Sequence, residues 1–268
     1  MKILITGAHG FVGNRLMQDL DDTVAAPSMR GMSEEQIRNM IEKSRADVII
    51  HTAAISDVGT CEKDPGASYE ANVRLPLFLA KAAKEQKLIC FSSDQVYRGC
   101  AGEGPYKEED ASPCNVYGRH KLEMEQRVLD VKPDAVMLRA EWMYDYPAER
   151  SNYLRMLLNE KQVLTFGKQY RGITYLREVA ENMPKIFMLP GGVYNFGSET
   201  KQTMYDITCE MLHFLKSDRK PEEVPPAHNL WMDCTKAKER GILFSDAKEG
   251  LKRCLKDYHL TGDRSEEH

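Results

Sequence analysis

The chain has 268 residues, with 37 basic and 41 acidic side chains and a formal net charge of −4. This mild acidic excess provides no basic face for nucleic acid. The longest stretch without a charged residue, residues 186–198, is too short and too rich in Pro and Gly to form a membrane-spanning helix. Seven cysteines without a CxxC pair indicate reduced thiols rather than a disulfide framework or a zinc site. We therefore expect a cytoplasmic protein without a metal centre, and surface scaling lets roughly 70% of the chain's surface be buried in one large core.

Apolar runs alternate with amphipathic stretches through the first 200 residues. Strands are predicted at residues 2–6, 23–26, 47–52, 88–92, 136–138 and 193–196, and helices at 11–20, 69–86 and 117–131. A capping box from Ser33 to Gln36 opens a further helix, and Pro76 is expected to kink the helix over residues 69–86. Strands that alternate with helices predict an α/β protein with a Rossmann-type, doubly wound parallel sheet.

The strand pattern weakens after Glu141, where helices are predicted at residues 152–161, 203–215 and 245–258. We therefore expect a smaller C-terminal lobe, built from residues 141–165 and 197–268. The sheet domain would comprise residues 1–140 and 166–196. The polar residues 262–268 are expected to be disordered.

Three glycines lie between the first strand and the first helix, at Gly7, Gly10 and Gly13. In a βαβ unit this spacing allows a tight turn, close approach to a pyrophosphate and close packing of helix on strand. The helix N-terminus then points free N–H groups at the phosphates. The pattern predicts a dinucleotide-binding turn, with a purely structural glycine turn as the alternative.

The acidic residue that would bind the ribose 2′-hydroxyl of NAD is missing, because residues 23–33 contain no Asp or Glu. Arg30 occupies that neighbourhood and could pair with a 2′-phosphate. NADPH is therefore the favoured cofactor and NADH the alternative. The alternative interpretation of Arg30 is a solvated loop residue.

Tyr117 and Lys121 form a YxxxK spacing at the start of a predicted helix, which places both side chains on one face. Chance alone can supply this spacing, so its position gives it weight. The lysine can lower the pKa of the phenol and make Tyr117 a workable general acid. Ser93 follows the strand at residues 88–92, where its hydroxyl could hydrogen-bond the reacting oxygen.

Together these features resemble the extended, sugar-nucleotide-modifying branch of the short-chain dehydrogenase/reductase superfamily, and within it the dTDP-4-dehydrorhamnose reductase family. The resemblance spans nearly the whole chain. Its motifs are the glycine turn at residues 7–13, HTAA at 51–54, EKDP at 62–65, FSSDQVYRG at 91–99, SPCNVYG at 112–118, LRAEWMY at 138–144 and GVYN at 192–195.

The resemblance implies reduction of a sugar C4 ketone, with Tyr117 as proton donor, Ser93 orienting the carbonyl, and Lys121 both tuning Tyr117 and binding ribose. The smaller lobe would bind the substrate. The implied cofactor-binding residues are Gly7, His9, Gly10, Phe11, Val12, Gly13, Arg30, Ala53, Ala54, Ile55, Asn72, Ser92, Tyr117 and Lys121. The implied substrate-binding residues are Val58, Asp94, Trp142 and Arg171.

Two departures from the family pattern concern the substrate. The segment at residues 226–230 lacks the arginine that the family usually carries there, and Glu141 replaces a small residue beside Trp142. Anionic nucleotide sugars need cations at their pyrophosphate, so the missing arginine concerns the dTDP part of the substrate. Arg171 could compensate.

Three other functions fit parts of the pattern. A 4-epimerase would use the same three catalytic residues with NAD. A 4,6-dehydratase would need a glutamate where Gln95 stands. A cofactor-binding regulatory subunit would have no turnover of its own. The expected partner is a nucleotide sugar, and a homodimer is one option for the oligomeric state.

Overall fold

A computed structural model describes residues 1–147 and 152–260. The strands are β1 (Ile3–Thr6), β2 (Thr23–Ala25), β3 (Val48–His51), β4 (Lys87–Ser93), β5 (Val136–Ala140), β6 (Trp142–Tyr144), β7 (Thr165–Phe166), β8 (Ile173–Tyr175), β9 (Gly192–Phe196) and β10 (Glu222–Glu223). In the described chain, a six-stranded parallel sheet runs in the order β2-β1-β3-β4-β5-β9. The predicted Rossmann-type fold is confirmed.

Helices cover both faces of this sheet, and others pack beyond it. They are α1 (Phe11–Asp19), α2 (Glu34–Ser44), α3 (Val58–Lys63), α4 (Pro65–Tyr69), α5 (Leu75–Ala82), α6 (Val116–Val131), α7 (Tyr153–Leu158), α8 (Leu176–Ile186), α9 (Met204–Phe214), α10 (Thr235–Lys238) and α11 (Ala247–Asp257). Along β1, Ile3 and Ile5 face the core beneath α1 and α8, whereas Leu4 faces the core beneath α2, α5 and α6. Side chains that alternate between two apolar cores explain why the strands read as continuous hydrophobic runs.

Three local predictions can be compared with the backbone. The capping box of Ser33 and Gln36 is present at the start of α2. The single helix predicted over residues 69–86 is wrong in detail: a π-helical turn, Glu70–Arg74, separates α4 from α5, and the helix ends at Ala82. Pro76 lies in the first turn of α5, where a proline, which has no N–H, is tolerated. The helix predicted at residues 152–161 is shorter, and the prediction for residues 262–268 lies outside the described residues.

Short strands join the segments beyond the main sheet. β6 pairs with β8, and β7 pairs with β10. Tyr144, Tyr153 and Tyr175 belong to a separate apolar cluster that also includes residues of α9 and α11. The division into two lobes stays a prediction, and these pairings favour assigning residues 165–175 to the smaller one.

A buried ion pair links α6 to β5. Arg139 donates to Glu125 through Nη2 at 2.7 Å and Nε at 3.0 Å, and both side chains are at most 3% exposed. Ser92 donates its hydroxyl hydrogen to Glu125 from the end of β4. On the other side, Arg139 donates to the Tyr97 hydroxyl at 2.7 Å, and Tyr97 donates to Asn195 on β9 at 2.6 Å. One continuous polar network therefore ties α6 to three adjacent strands.

His51 ends β3 as a fully buried side chain. Its Nδ1 is 2.7 Å from the Thr6 hydroxyl, and its Nε2 has no hydrogen-bond partner in the described part of the chain. Burial, reinforced by the charge of Lys121, lowers the pKa of His51 to about 3. The imidazole is therefore neutral in the folded protein near pH 7.

We predict that Arg139→Met lowers the free energy of unfolding by about 3–5 kcal/mol, because it leaves the Glu125 carboxylate buried without its partner. Urea denaturation measures the loss. Adding Glu125→Leu should restore part of it, since the orphaned charge is removed. Arg74→Met is the matched control: Arg74 pairs with Glu70 on an exposed helix face, so the change should stay below about 1 kcal/mol. A loss below about 1 kcal/mol for Arg139→Met as well would contradict the prediction.

We also predict an acid-sensitive contribution from His51. The unfolded chain binds a proton at His51 near pH 6.5, but the folded protein does so only near pH 3, so stability present above pH 6.5 is lost as the pH falls. Between pH 7 and pH 5 the wild type should lose about 2 kcal/mol more unfolding free energy than His51→Gln. His213→Gln, at an exposed position, is the control. An identical loss in the wild type and His51→Gln would contradict this assignment.

Candidate active site

The glycine turn after β1 is shaped by backbone contacts. Gly7 has a φ of 73°, in the region that favours glycine, and a Cβ added at Gly13 would overlap the Gly7 carbonyl. Gly10 is the N-cap residue of α1 and provides no side-chain cap, and the first turn of this helix contains no acidic residue. Its free N–H groups therefore remain available to an anion.

A cavity of about 700 Å³ opens at the carboxyl ends of β1, β3, β4 and β5. This is the edge at which parallel α/β sheets bind ligands. The cavity brings together the predicted residues Gly7, Gly10, Phe11, Val12, Ala53, Ala54, Val58, Ser92, Ser93, Asp94, Tyr117, Lys121, Trp142 and Arg171.

Five predicted cofactor-binding residues do not line this cavity: His9, Gly13, Arg30, Ile55 and Asn72. Gly13 is buried against the glycine turn, and His9 and Arg30 are exposed. Asn72 accepts a hydrogen bond from the Ile55 N–H at 3.1 Å and donates to the Ile55 carbonyl at 2.9 Å. It therefore holds the loop after β3 in place from behind, and direct contact of these five residues with a cofactor stays a prediction.

Tyr117 and Lys121 lie one turn apart near the start of α6. The Lys121 Nζ is 5.8 Å from the centre of the Tyr117 ring and donates to the Phe91 carbonyl at 2.7 Å. Lys121 is 2% exposed, and this burial lowers its pKa to about 8. Below that pH its ammonium group provides a positive charge beside the phenol.

Ser93 lies where β4 ends. Its hydroxyl donates to Asp94 Oδ1 at 3.1 Å and accepts a hydrogen bond from the Gln95 N–H at 3.2 Å. Both Ser93 and Tyr117 are buried and line the same cavity. The hydroxyl, the phenol and the ammonium group therefore meet at one place, as the sequence predicts.

Arg171 is paired rather than free. Its Nε and Nη2 donate to Asp94 Oδ2 at 3.1 and 2.9 Å, and its guanidinium lies 5.3 Å from the centre of the Trp142 ring. Asp94 is only 2% exposed, whereas a quarter of the Arg171 side chain is accessible. The predicted substrate residues Asp94, Trp142 and Arg171 thus form one cluster in the cavity lining.

The sequence predictions missed other residues in the lining. These are Thr52, Ser56, Asp57, Phe91, Gln95, Ala140, Glu141, Met143 and Asn152. Most of them are adjacent in the sequence to predicted residues, and this adjacency was the feature from which they could have been predicted. Glu141 had a stronger signal, because it departs from the family pattern beside Trp142.

Two properties of the described chain complete this picture. No helix within residues 1–147 and 152–260 is long and apolar enough to cross a membrane. Over the same residues, His, Cys, Asp and Glu side chains form no group of three that could hold a metal ion.

Comparison with known proteins extends this description. A dTDP-4-dehydrorhamnose reductase of Aggregatibacter actinomycetemcomitans is 28% identical over 94% of this chain and 97% of that protein. Methionine adenosyltransferase 2 subunit beta of Mus musculus is 27% identical over 90% of this chain and 83% of that protein. A dTDP-4-dehydrorhamnose reductase structure from Bacillus anthracis str. Ames, in complex with NADP, has the same fold, with a TM-score of 0.85 at 22% identity over 96% of this chain and 99% of that one. The family model described as RmlD substrate binding domain matches residues 1–260, so this protein belongs to that family.

Proposed function

We propose that the protein catalyses NADPH-dependent reduction of the C4 ketone of a nucleotide-linked deoxy sugar. The observation that carries this proposal is the meeting of Ser93, Tyr117 and Lys121 in a cavity that also contains the glycine turn. The relative named dTDP-4-dehydrorhamnose reductase, aligned over almost all of both chains, supports the same reaction class.

The residues at the glycine turn fit a dinucleotide. Gly7 and Gly13 pack closely at this turn, and the N-cap residue Gly10 has no side chain. The first turn of α1 therefore faces the cavity unobstructed. Phe11 and Val12 line that end, where their backbone N–H groups would hold the pyrophosphate. When bound, the reduced nicotinamide supplies the hydride.

The chain's own residues supply the proton and hold the substrate carbonyl. Tyr117 gives its phenolic proton to the oxygen that becomes the alcohol, and Ser93 donates a hydrogen bond to the same oxygen. The Lys121 ammonium stabilises the negative charge that the phenol acquires, and it would hold the nicotinamide ribose hydroxyls. Because the Lys121 ammonium is fixed by the Phe91 carbonyl, its charge is in place before substrate arrives.

The lobe side of the cavity would bind the sugar nucleotide. Trp142 presents an aromatic ring for the sugar, and Arg171 is the cation available to the pyrophosphate. The Arg171 head group already donates twice to Asp94, so phosphate binding would share or replace those hydrogen bonds. Val58 lines the same cavity from the start of α3.

A second candidate function is a cofactor-binding regulatory subunit. The similarity to methionine adenosyltransferase 2 subunit beta over 90% of this chain favours it. The complete set of Ser93, Tyr117 and Lys121 favours catalysis instead. A stoichiometric partner that copurifies with the protein, together with no turnover of any keto sugar, would support the regulatory function.

We predict that the purified protein oxidises NADPH when given dTDP-4-dehydrorhamnose. The reaction is measured as the loss of absorbance of the reduced nicotinamide. Tyr117→Phe should lower turnover at least about a hundredfold, because the proton donor is lost. Cofactor affinity, measured by fluorescence titration, should stay within about twofold because the glycine turn is untouched.

Tyr69→Phe is the matched control, since Tyr69 lies outside the cavity lining. It should keep normal turnover. Near-normal turnover in Tyr117→Phe would contradict the assigned role, and failure of the wild type on a panel of nucleotide-linked 4-keto sugars would contradict the proposed reaction. Tightly retained NAD on purification, with interconversion of epimers, would favour an epimerase.

We further predict that Arg30→Ala raises KM for NADPH about tenfold and leaves KM for NADH nearly unchanged, because only NADPH carries a 2′-phosphate. Arg30 is exposed on the loop that follows β2. This strand pairs with β1, the strand that leads into the glycine turn. Arg38→Ala on α2, also exposed, is the control. A wild-type preference for NADH, or equal effects on both cofactors, would overturn the role of Arg30.

A further inference from the structure

Glu141 lies beside the reacting centre although the proposed mechanism does not use it. In the sheet register Ala140 is opposite Ser93 on one side and Phe196 on the other. The next residues along these strands, Asp94, Glu141 and Gly197, are therefore neighbours at the carboxyl edge. Glu141 is 5% exposed and lines the active-site cavity together with Asp94 and Arg171.

The surroundings of Glu141 accommodate a carboxyl group closely. A Cβ added at Gly172 would overlap Glu141 Oε1, and a Cβ added at Gly197 would overlap Oε2. Thr174 donates its hydroxyl hydrogen to Oε2 at 3.0 Å and accepts a hydrogen bond from the Ser198 N–H at 2.9 Å. The space beside Gly172 and Gly197, together with the hydroxyl donor of Thr174, thus defines the position of this carboxyl group.

Burial and neighbouring carboxylates favour the neutral form of this carboxyl group. Burial raises the pKa of Glu141 well above its ordinary value, and the nearby carboxylates of Asp94 and Glu199 act in the same direction against Arg171. The Cys234 thiol also faces it and is kept protonated by burial. Since Arg171 is held by Asp94, Glu141 forms no ion pair with a cation in the part of the chain that the structure describes.

A neutral carboxylic acid has one O–H donor, and the contacts of Glu141 indicate which of its two oxygens carries the proton. The Thr174 hydroxyl already donates to Oε2, which leaves the proton on Oε1. The Thr174 hydroxyl engages Oε2, whereas Oε1 lies beside Gly172. A ligand oxygen in the cavity would complete its hydrogen bonding.

We propose that Glu141 is a specificity-determining residue of the sugar subsite, where its neutral carboxyl group hydrogen-bonds an uncharged hydroxyl or carbonyl of the sugar and disfavours a sugar carboxylate. A carboxylate there would be repelled by Asp94 across the sheet edge, and Arg171 is engaged by Asp94 or by the pyrophosphate. This inference rests on the proposed function and narrows its substrate to neutral sugars.

The test compares the binding of two nucleotide sugars by isothermal titration calorimetry in the presence of NADP. These are dTDP-glucose and dTDP-glucuronic acid, which differ only in that the first carries a hydroxymethyl group where the second carries a carboxylate. The wild type should bind dTDP-glucose at least about tenfold more tightly. Glu141→Gln, which keeps a donor and the shape, should hold that affinity within about twofold. Glu141→Leu should lose about five- to tenfold in affinity for dTDP-glucose and much of the discrimination.

Glu223→Gln is the matched control, because Glu223 is exposed, lies outside the lining of this cavity and should leave both affinities unchanged. For a purely structural role, thermal unfolding would shift in Glu141→Leu while the ratio of the two affinities stayed constant. That constant ratio, or equal wild-type binding of both sugars, would overturn the inference even if dTDP-4-dehydrorhamnose is reduced. Absence of binding by either sugar, with no turnover, would overturn both proposals.

Discussion

The buried pair of Glu125 and Arg139 is the constraint on which the geometry of the cavity depends. Glu125 is one turn beyond Lys121 on α6, and Arg139 is two residues before Glu141 on β5. Through Ser92 the same pair reaches the end of β4. A buried ion pair contributes little net stability, but it requires a defined arrangement of its partners. Here that arrangement sets the distance between α6, which carries Tyr117 and Lys121, and the strand ends that line the cavity.

Charges in the cavity are balanced locally. Lys121 is held at the Phe91 carbonyl, Arg171 pairs with Asp94, and burial favours the neutral form of Glu141. Each buried charge thus has a fixed partner or has lost its charge, as the cost of burying an isolated ion requires. The net charge of −4 therefore says little about which ligand binds, because the few cations in the cavity are positioned one by one.

The sequence allowed the sheet, the glycine turn and the shared location of Ser93, Tyr117 and Lys121 to be predicted, because each depends on local spacing and on the rule that parallel strands end at one edge. The pairing of Arg171 with Asp94, 77 residues apart, was not readable, because it depends on how the segment before β8 returns over the sheet. The π-helical turn before Pro76 was also missed, since no residue pattern distinguishes it from an ordinary helix. Glu141 could be recognised as unusual, but its neutral state depends on burial that only the folded chain provides.

The fit of Glu141 against Gly197 has a consequence for how this protein could evolve. The atoms nearest to a Cβ added at Gly197 all belong to Glu141, so this glycine is required by that one side chain. A larger residue at position 197 becomes acceptable only after Glu141 has been replaced by a smaller residue. In the reverse order, the new side chain at position 197 would overlap the Glu141 carboxyl group. Position 172 is different, because the Ser198 carbonyl also fills the space beside it. Relatives that carry a small residue in place of Glu141 should therefore vary at position 197 and keep glycine at position 172, a dependence between sites that descent would record.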